Sequence, residues 1–229
     1  MTKKLKKPIA FLTVFAMLLS VLLYFPEGTF GSFRLGVRAS AAIAQETPDG
    51  TGSSDNPYLI DTAGKLYWFA ARVNSGYPRS SARLTDDIVV NSNVLDESGN
   101  LKSGSFEPWT PIGTEDNVYS GTFDGNGHTI SGLYFNDHNA DNVGLFGVIG
   151  TYSNSTTSHW PVSISYVGIL DSYFNGRNNV GSLCGYFKSD VNENGTVKGC
   201  YSMGSVSGTA NVGGIVGNSE VEVENSYYL

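Results

Sequence analysis

The sequence contains few of the residues from which metal centres and nucleophilic active sites are most often built. It has three histidines and two cysteines among 229 residues. None of the histidines belongs to an H-E-x-x-H motif, which excludes the zinc-protease chemistry that depends on that motif. Cys184 and Cys200 are not in C-x-x-C spacing, and no nearby histidine completes a zinc-binding set. We therefore expect neither a metal nor a cofactor.

The two cysteines leave two structural alternatives open. A secreted chain can join them in a disulfide, which requires Cβ atoms about 4 Å apart. Both residues lie in apolar, strand-like segments, and free cysteine is among the most frequently buried residue types. We favour two buried free thiols at Cys184 and Cys200.

Positive charge is scarce once the N-terminal segment is set aside. From Gln45 onward, 20 Asp plus Glu stand against 8 Lys plus Arg, a net charge near −12. No basic stripe remains that could follow a phosphate backbone. The composition therefore excludes nucleic acid and anionic membrane surfaces as partners.

A long apolar run occurs at one place in the chain. Residues 9–25 are apolar apart from Thr13 and Ser20, follow four lysines, and precede Ala-x-Ala sites at 39–41 and 42–44. This order predicts a signal peptide over residues 1–44, with Gln45 as the new N-terminus. An uncleaved membrane anchor is the alternative. Residues 45–57, rich in Gly, Ser, Asp, Thr and Pro, are predicted to be a flexible lead-in.

Helical periodicity is limited to one segment, which follows a predicted strand over Pro57 to Ile60. Thr62 or Asp61 can cap the helix, and Gly76 ends it. The residues at i, i+3, i+4 and i+7 form one apolar face: Leu66, Phe69, Ala70 and Val73. One amphipathic helix before many strands predicts a cap over the open end of the sheets.

The remaining chain has the composition of short strands. One strand is predicted over 82–90, with Leu84, Ile88 and Val90 on one side, followed by a loop over 91–107. Between residues 119 and 135, two strands joined by a tight Gly-Asn-Gly turn should direct Phe123 and Ile130 inward. Residues 151–158 form a polar insertion, predicted to be a surface loop.

A glycine-rich motif occurs three times and indicates how the strands are arranged. NVGLFG begins at Asn142, NVGSLCG at Asn179 and NVGGIVG at Asn211, steps of 37 and 32 residues. Such a period predicts stacked repeats. Short strands without intervening helices fit a solenoid with strands about 4.8 Å apart. An antiparallel sandwich is the alternative, but it gives no reason for motifs in register.

The three motifs resemble the GLUG motif of secreted bacterial surface proteins. WTPIGT and YSGTFDGNGHTISGLY are similar to the stretch that precedes such motifs, and DNPYLIDTAGKLYWFAARVNSG to the usual opening of these domains. The resemblance covers about Gly50 to Leu229. It implies a right-handed parallel β-helix on an exported protein. Some members of this family are adhesin-like proteins. Others are non-catalytic regions of larger secreted proteins, and some of these larger proteins are metalloproteases that cleave immunoglobulin.

Only structural roles carry over from that resemblance to this chain. Glycines are expected at corners of the coil: Gly144, Gly147, Gly181, Gly185, Gly213 and Gly217. Apolar residues are expected to form interior ladders: Val143, Leu145, Val180, Leu183, Val212 and Ile215. The middle copy differs at Ser182 and Cys184, so its corner is expected to shift. The predicted fold is all-β, a right-handed parallel β-helix (solenoid) over residues 58–229 with one short N-terminal capping helix.

Neither the histidines nor a candidate calcium-binding loop predicts a metal site. His128 is expected to be a surface turn residue, and His138 and His159 lie in polar loops. A calcium loop around Asp124 and Asn126 fails, because no register supplies both the turn glycine and the bidentate glutamate. We therefore predict no metal ligands here.

Paired carboxylates are the remaining route to catalysis, because β-helices include polysaccharide-cleaving enzymes. Asp86 and Asp87 are neighbours on a predicted strand and so point to opposite faces. Asp137 and Asp141 share an Asn-rich loop, but we expect no basic residue near them to neutralise an acidic sugar. The chain is predicted not to be an enzyme, with a polysaccharide-processing enzyme as the alternative.

Contacts with a partner are expected in the loops 136–142 and 151–160. Exposed aromatic residues are candidates for stacking on sugars or meeting a protein, with packing between repeats as the alternative: Tyr134, Tyr152, Trp160, Tyr227 and Tyr228. The predicted function is a secreted or cell-surface module with a structural or adhesive role, binding an unidentified extracellular protein or glycan. A non-catalytic segment of a larger secreted protease is a further alternative.

The last residues, Tyr227 to Leu229, resemble the middle of a strand and have no capping helix. Solenoids need a cap at both ends. We therefore expect a chain truncated at its C-terminus, with further repeats or another domain beyond Leu229, or a partner that covers the end.

Overall fold

The structure, a computed structural model, describes residues 42–155, 158–188 and 195–229, with the side chains of 152–160 outside the description. The predicted signal peptide, apart from its last three residues, also lies outside it. The regular structure of the described ranges is mostly β-strand with one helix, α1 (Ala63–Asn74). No helix of these ranges has the length and apolar character needed to cross a membrane.

The strands are short and follow one another along the chain. Those before the second NVG motif are β1 (Tyr58–Ile60), β2 (Ala82–Leu84), β3 (Ile88–Val89), β4 (Thr122–Asp124), β5 (Thr129–Ser131), β6 (Tyr134–Asn136), β7 (Phe146–Gly150), β8 (Tyr152–Ser155), β9 (Ser158–Trp160), β10 (Ser163–Ser165) and β11 (Gly168–Asn175). The later ones are β12 (Asn178–Gly181), β13 (Cys184–Lys188), β14 (Thr196–Lys198), β15 (Tyr201–Ser207), β16 (Ala210–Gly213), β17 (Val216–Ser219), β18 (Val223–Glu224) and β19 (Tyr227–Tyr228).

Helix α1 forms where the sequence predicts it. The Thr62 hydroxyl accepts the Lys65 N–H and so caps the first turn, and Gly76 follows the last turn with φ of 104°. Its buried face contacts the sheets through Phe69, whose ring centroid lies 6.0 Å from those of Tyr119 and Phe123. The helix is therefore tied to the β core by its apolar stripe.

Strands from successive repeats pair side by side and in parallel. The first sheet has the order β1-β2-β4-β10-β14-β18, the second β19-β15-β11-β5-β3, and smaller sheets join β12 to β16 and β7 to β13 and β17. Three repeats (β4–β7, β10–β13 and β14–β17) supply strands to these sheets in one order. Ile164, for example, lies between Phe123 and Val197. These strands pair in parallel, whereas the alternative fold, an antiparallel sandwich, would pair them in antiparallel fashion.

Two predicted strand segments turn corners. Residues 82–90 form β2 and β3 in different sheets, because the chain bends at 85–87, and Asp86 is exposed instead of facing inward with Leu84 and Ile88. The Gly-Asn-Gly turn likewise connects β4 and β5, which lie in separate sheets. Phe123 and Ile130 are fully buried, as predicted.

The NVG motif has its asparagines in the left-handed region, and three of the six predicted glycine corners lie at or beside a bend. Asn142, Asn179 and Asn211 have φ of 59°, 54° and 54°. Gly147, Gly185 and Gly217 lie within β7, β13 and β17, while Gly144, Gly181 and Gly213 adjoin a bend. These glycines are required by close approach, since a Cβ on Gly185 would lie 2.5 Å from the Asn142 carbonyl carbon.

The predicted ladder residues lie at paired positions, with one exception in burial. Val143, Leu145, Val180 and Leu183 are buried, Ile215 is partly buried, and Val212 pairs with Val180 but is 45% exposed. A further row was not predicted: Phe146 and Val216 both pair with Cys184. The second and third motifs carry one more residue than the first, and the extra residue is absorbed at the bend.

The predicted surface loop at 151–158 contains regular structure. Strands β8 and β9 form an antiparallel pair in which the backbone of Tyr152 lies opposite that of Trp160.

The two cysteines are free and buried, as predicted, and burial raises the pKa of Cys184 and of Cys200. A disulfide is therefore absent.

Candidate functional site

The predicted contact loop at 136–142 carries an ion pair that the sequence did not suggest. Arg177 donates to both carboxylate oxygens of Asp141, at 2.9 Å from Nε and 2.6 Å from Nη2. The pKa of Asp141 is lowered mainly by this bond. Asp137 has different partners, since it accepts the Asn139 N–H at 3.0 Å. The expectation that no basic residue lies near these carboxylates is therefore wrong for Asp141.

Aligning the motifs shows why Arg177 meets Asp141. Asp141 precedes the first motif by one residue, and Arg177 precedes the second by two, so stacking the motifs places them side by side. The signal was present in the repeat spacing, although Asp141 and Arg177 are 36 residues apart in sequence.

A row of asparagine side chains begins beside this ion pair. Asn211 donates to Asn179 and Asn179 to Asn142, each at 2.8 Å, and Asn142 donates to a Glu115 oxygen at 2.9 Å. The amides of Asn179 and Asn142 thus each donate to one neighbour and accept from the other. Glu115 completes the row as an acceptor.

Glu115 and Asp141 line the same cleft, which we call the Glu115–Asp141 cleft. Its volume is about 310 Å³. Thr110, Thr114 and Asn142 add hydroxyl and amide groups, and Phe135, Pro111 and Val148 add apolar surface. Apolar surface combined with a few polar groups is typical of small-molecule and sugar sites. Sequence reasoning did not identify Glu115, which lies beside Asp116 in a bend.

The other predicted polar candidates have structural partners. His128 Nδ1 lies 3.4 Å from Asp87, whose pKa is lowered mainly by the backbone N–H of Thr129. Asp124 accepts the Asn126 N–H at 2.9 Å and pairs with Arg83 at 2.9 Å. Within the described ranges, no group of three or more His, Cys, Asp or Glu is arranged to hold a metal.

The exposed aromatic candidates fall into two groups. Tyr134 stacks on Tyr173 of the next repeat, with ring centroids 6.2 Å apart, so it packs between repeats. Tyr227 and Tyr228 are 62% and 50% exposed, and the Tyr228 hydroxyl donates to the Gly204 carbonyl. The side chains of Tyr152, Trp160 and His159 lie outside the described residues.

Comparison with known proteins finds two partial relatives. Halomucin of Haloquadratum walsbyi is 32% identical over 192 residues, which cover 83% of this chain and 2% of that protein. A Gly-rich membrane protein of Evansella cellulosilytica is 37% identical over 101 residues, or 44% of this chain and 10% of that protein. The chain thus spans a small part of both relatives. No family model matches it, and no solved structure matches it.

Proposed function

We propose that this chain is a secreted or cell-surface repeat module with a structural or adhesive role and no catalytic activity of its own. The observation that carries the proposal is the parallel, in-register pairing of equivalent strands from successive repeats. Repeats of this kind are stabilised by their neighbours and build stiff, extended surfaces.

The architecture that accounts best for this pairing is a right-handed parallel β-helix. Parallel strands in one sheet are nearly always connected with right-handed crossovers. Helix α1 packs its apolar face on the first strands, and it would cover that end of the solenoid. The NVG motifs support membership of the GLUG-motif family, in which they serve as building units.

A surface location is supported by the predicted signal peptide and by the two relatives, one of which is described as a membrane protein. The Glu115–Asp141 cleft is the proposed adhesive contact. Its carboxylates, amide and hydroxyls can bind sugar hydroxyls or polar peptide groups, and Phe135 offers a flat apolar surface.

The pairing of carboxylates at this cleft also favours a second candidate, a polysaccharide-processing enzyme. Glycoside hydrolysis uses two carboxyl groups flanking one bond. Asp141 fits the acid role poorly, because its bond with Arg177 keeps it ionised. The adhesive role is therefore the one that the geometry supports better.

Binding and turnover measured on the same ligands separate the two candidates. The full-length chain is incubated with a panel of glycans and extracellular proteins, and both retention and release of reducing ends are recorded. The adhesive role predicts retention without release, and weaker retention in a Glu115→Gln variant. Release of reducing ends that is lost in both Asp141→Ala and Glu115→Gln would instead establish the enzyme.

A further inference from the structure

Two adjoining clefts, one of them lined by Arg72 of α1, have no acidic residue in their walls. Their volumes are about 460 and 330 Å³, and Ser53 and Arg79 line both. We call them together the Arg72–Arg79 groove. None of the residues that line it is Asp or Glu, although 20 acidic residues follow Gln45. Hydroxyl groups of serine and threonine form much of its wall.

Arg72 contacts an aromatic ring in the groove, and its guanidinium Nε makes no hydrogen bond to the described residues. Its Cζ lies 3.2 Å from the centre of the Tyr77 ring, so the ring holds the guanidinium. The Nε atom is buried and has no hydrogen-bond partner among the described residues. A guanidinium held in this way keeps edge N–H groups that match the two oxygens of a carboxylate or sulfate.

Ser120 supplies a second unpartnered group in the groove. The residue is 3% exposed, and its Oγ is buried without a hydrogen-bond partner in the described part of the chain. Its backbone N–H donates to Pro78 O at 2.9 Å, which fixes the residue in place. Leaving a buried hydroxyl unpaired costs about 1–3 kcal/mol, and a bound ligand would remove that cost.

The end of α1 works against an anion in this position, but weakly. A helix C-terminus carries roughly half a negative charge, partly screened by water. Arg72 and Arg79 both line the groove, and no acidic residue lines it. The balance therefore favours a negative ligand.

We propose that the Arg72–Arg79 groove binds an acidic polysaccharide through its carboxylate or sulfate groups. The arginines would hold the anionic oxygens, and the hydroxyls of Ser53, Ser120 and Thr122 would meet sugar hydroxyls. The inference concerns a different site from the Glu115–Asp141 cleft, and it stands whether or not that cleft is adhesive.

Isothermal titration calorimetry of the full-length chain tests the proposal. The ligands are polygalacturonate for carboxylate, dextran sulfate for sulfate and unmodified dextran as the neutral control. One of the charged polymers should bind, more weakly as salt rises, and dextran should not. Arg72→Gln and Arg79→Gln should each raise Kd about tenfold, whereas Lys102→Gln, outside the groove, should change it less than twofold.

Ser120→Ala provides a variant that does not depend on removing charge. Because its buried hydroxyl has no protein partner, the variant should melt no lower than the parent and still bind more weakly, by about two- to tenfold. The proposal is overturned if neither charged polymer binds. It is equally overturned if Lys102→Gln weakens binding as much as Arg79→Gln, since the effect would then be overall charge.

Discussion

Asparagine is the residue with which this chain changes direction. Of the eight non-glycine residues with positive φ in the described ranges, six are asparagines. Asparagine tolerates the left-handed region because its short amide can bond locally. In the NVG motifs the same amide also bonds to the neighbouring repeat, so one residue type provides both the turn and the contact.

Substituting the middle asparagine separates these two roles. Asn179→Gly removes two side-chain hydrogen bonds but keeps the backbone relaxed, and should cost about 1–3 kcal/mol. Asn179→Ala should cost about 1–2 kcal/mol more, because alanine at φ of 54° is strained. Urea unfolding measures both variants. Equal stability of the two variants would show that backbone strain is unimportant here.

Burial of Cys184 predicts how stability depends on pH. Its pKa in the folded chain is raised above that in the unfolded chain, so the unfolded state loses the proton first. Stability is then fully present below about pH 8 and falls as the pH rises, by about 1.4 kcal/mol per pH unit for this thiol. Cys184→Val, which matches Val216 in the same row, should remove that part of the loss. An unchanged pH dependence in Cys184→Val would contradict the assignment.

Interior residues were predictable from sequence where alternation in a strand decides the side. Phe123, Ile130 and the apolar face of α1 are buried as expected. Arg177, Glu115 and the row through Phe146 were not foreseen. Their partners lie in other repeats, and single-segment patterns do not show which positions stack.

At the scale of the elements, the segment 91–107 is a structured loop held at two places. Asn91 exchanges two hydrogen bonds with the backbone of Glu107, at 2.8 and 3.0 Å. Asp171 accepts the N–H groups of Val94 and Leu95 at 3.1 and 2.8 Å. Asp171 has φ of 45° within the irregularity of β11, so the strand bends to present its carboxylate.

Removing the Asp171 carboxylate should release one end of that loop. Asp171→Gly keeps the positive φ accessible while deleting the acceptor, so the amides of Val94 and Leu95 should exchange about ten- to a hundredfold faster with deuterium. Asp171→Asn retains one acceptor oxygen and serves as the control. If Asp171→Gly leaves the exchange of both amides unchanged, the carboxylate does not hold the loop.

Corners between elements were harder to predict than the elements. In 82–90, the side-chain alternation of Leu84 and Ile88 is the same in one straight strand and in two strands joined by a bend. The exposed Asp86 is the local sign of the bend. Only pairing with other repeats decides where such a segment turns.

At the scale of the whole molecule, the spacing between repeats depends on glycines that lie within strands. A Cβ on Gly185 would lie 2.5 Å from the Asn142 carbonyl carbon, and one on Gly217 would lie 2.6 Å from that of Asn179. These atoms are backbone, so a clash can be relieved only by separating the repeats.

Gly185→Ala should therefore destabilise the chain by about 2–4 kcal/mol, measured by thermal or urea unfolding. Gly104→Ala is the matched control, because its Cβ would lie 3.4 Å from the Phe106 ring, near ordinary contact. Its free energy of unfolding should change by less than about 1 kcal/mol. Similar losses in both variants would argue against tight stacking at Gly185.

The stacking of successive repeats is tested most directly by NOE contacts in the full-length chain with labelled methyl groups and labelled phenylalanine rings. Side chains at equivalent positions should show strong contacts across the parallel registers, from Phe123 to Ile164, Ile164 to Val197 and Val197 to Val223. Neighbouring strands along the chain, such as β4 and β5, should lack the cross-strand backbone contacts of a hairpin. Hairpin contacts between consecutive strands, without contacts from Ile164 to Val197, would contradict the account.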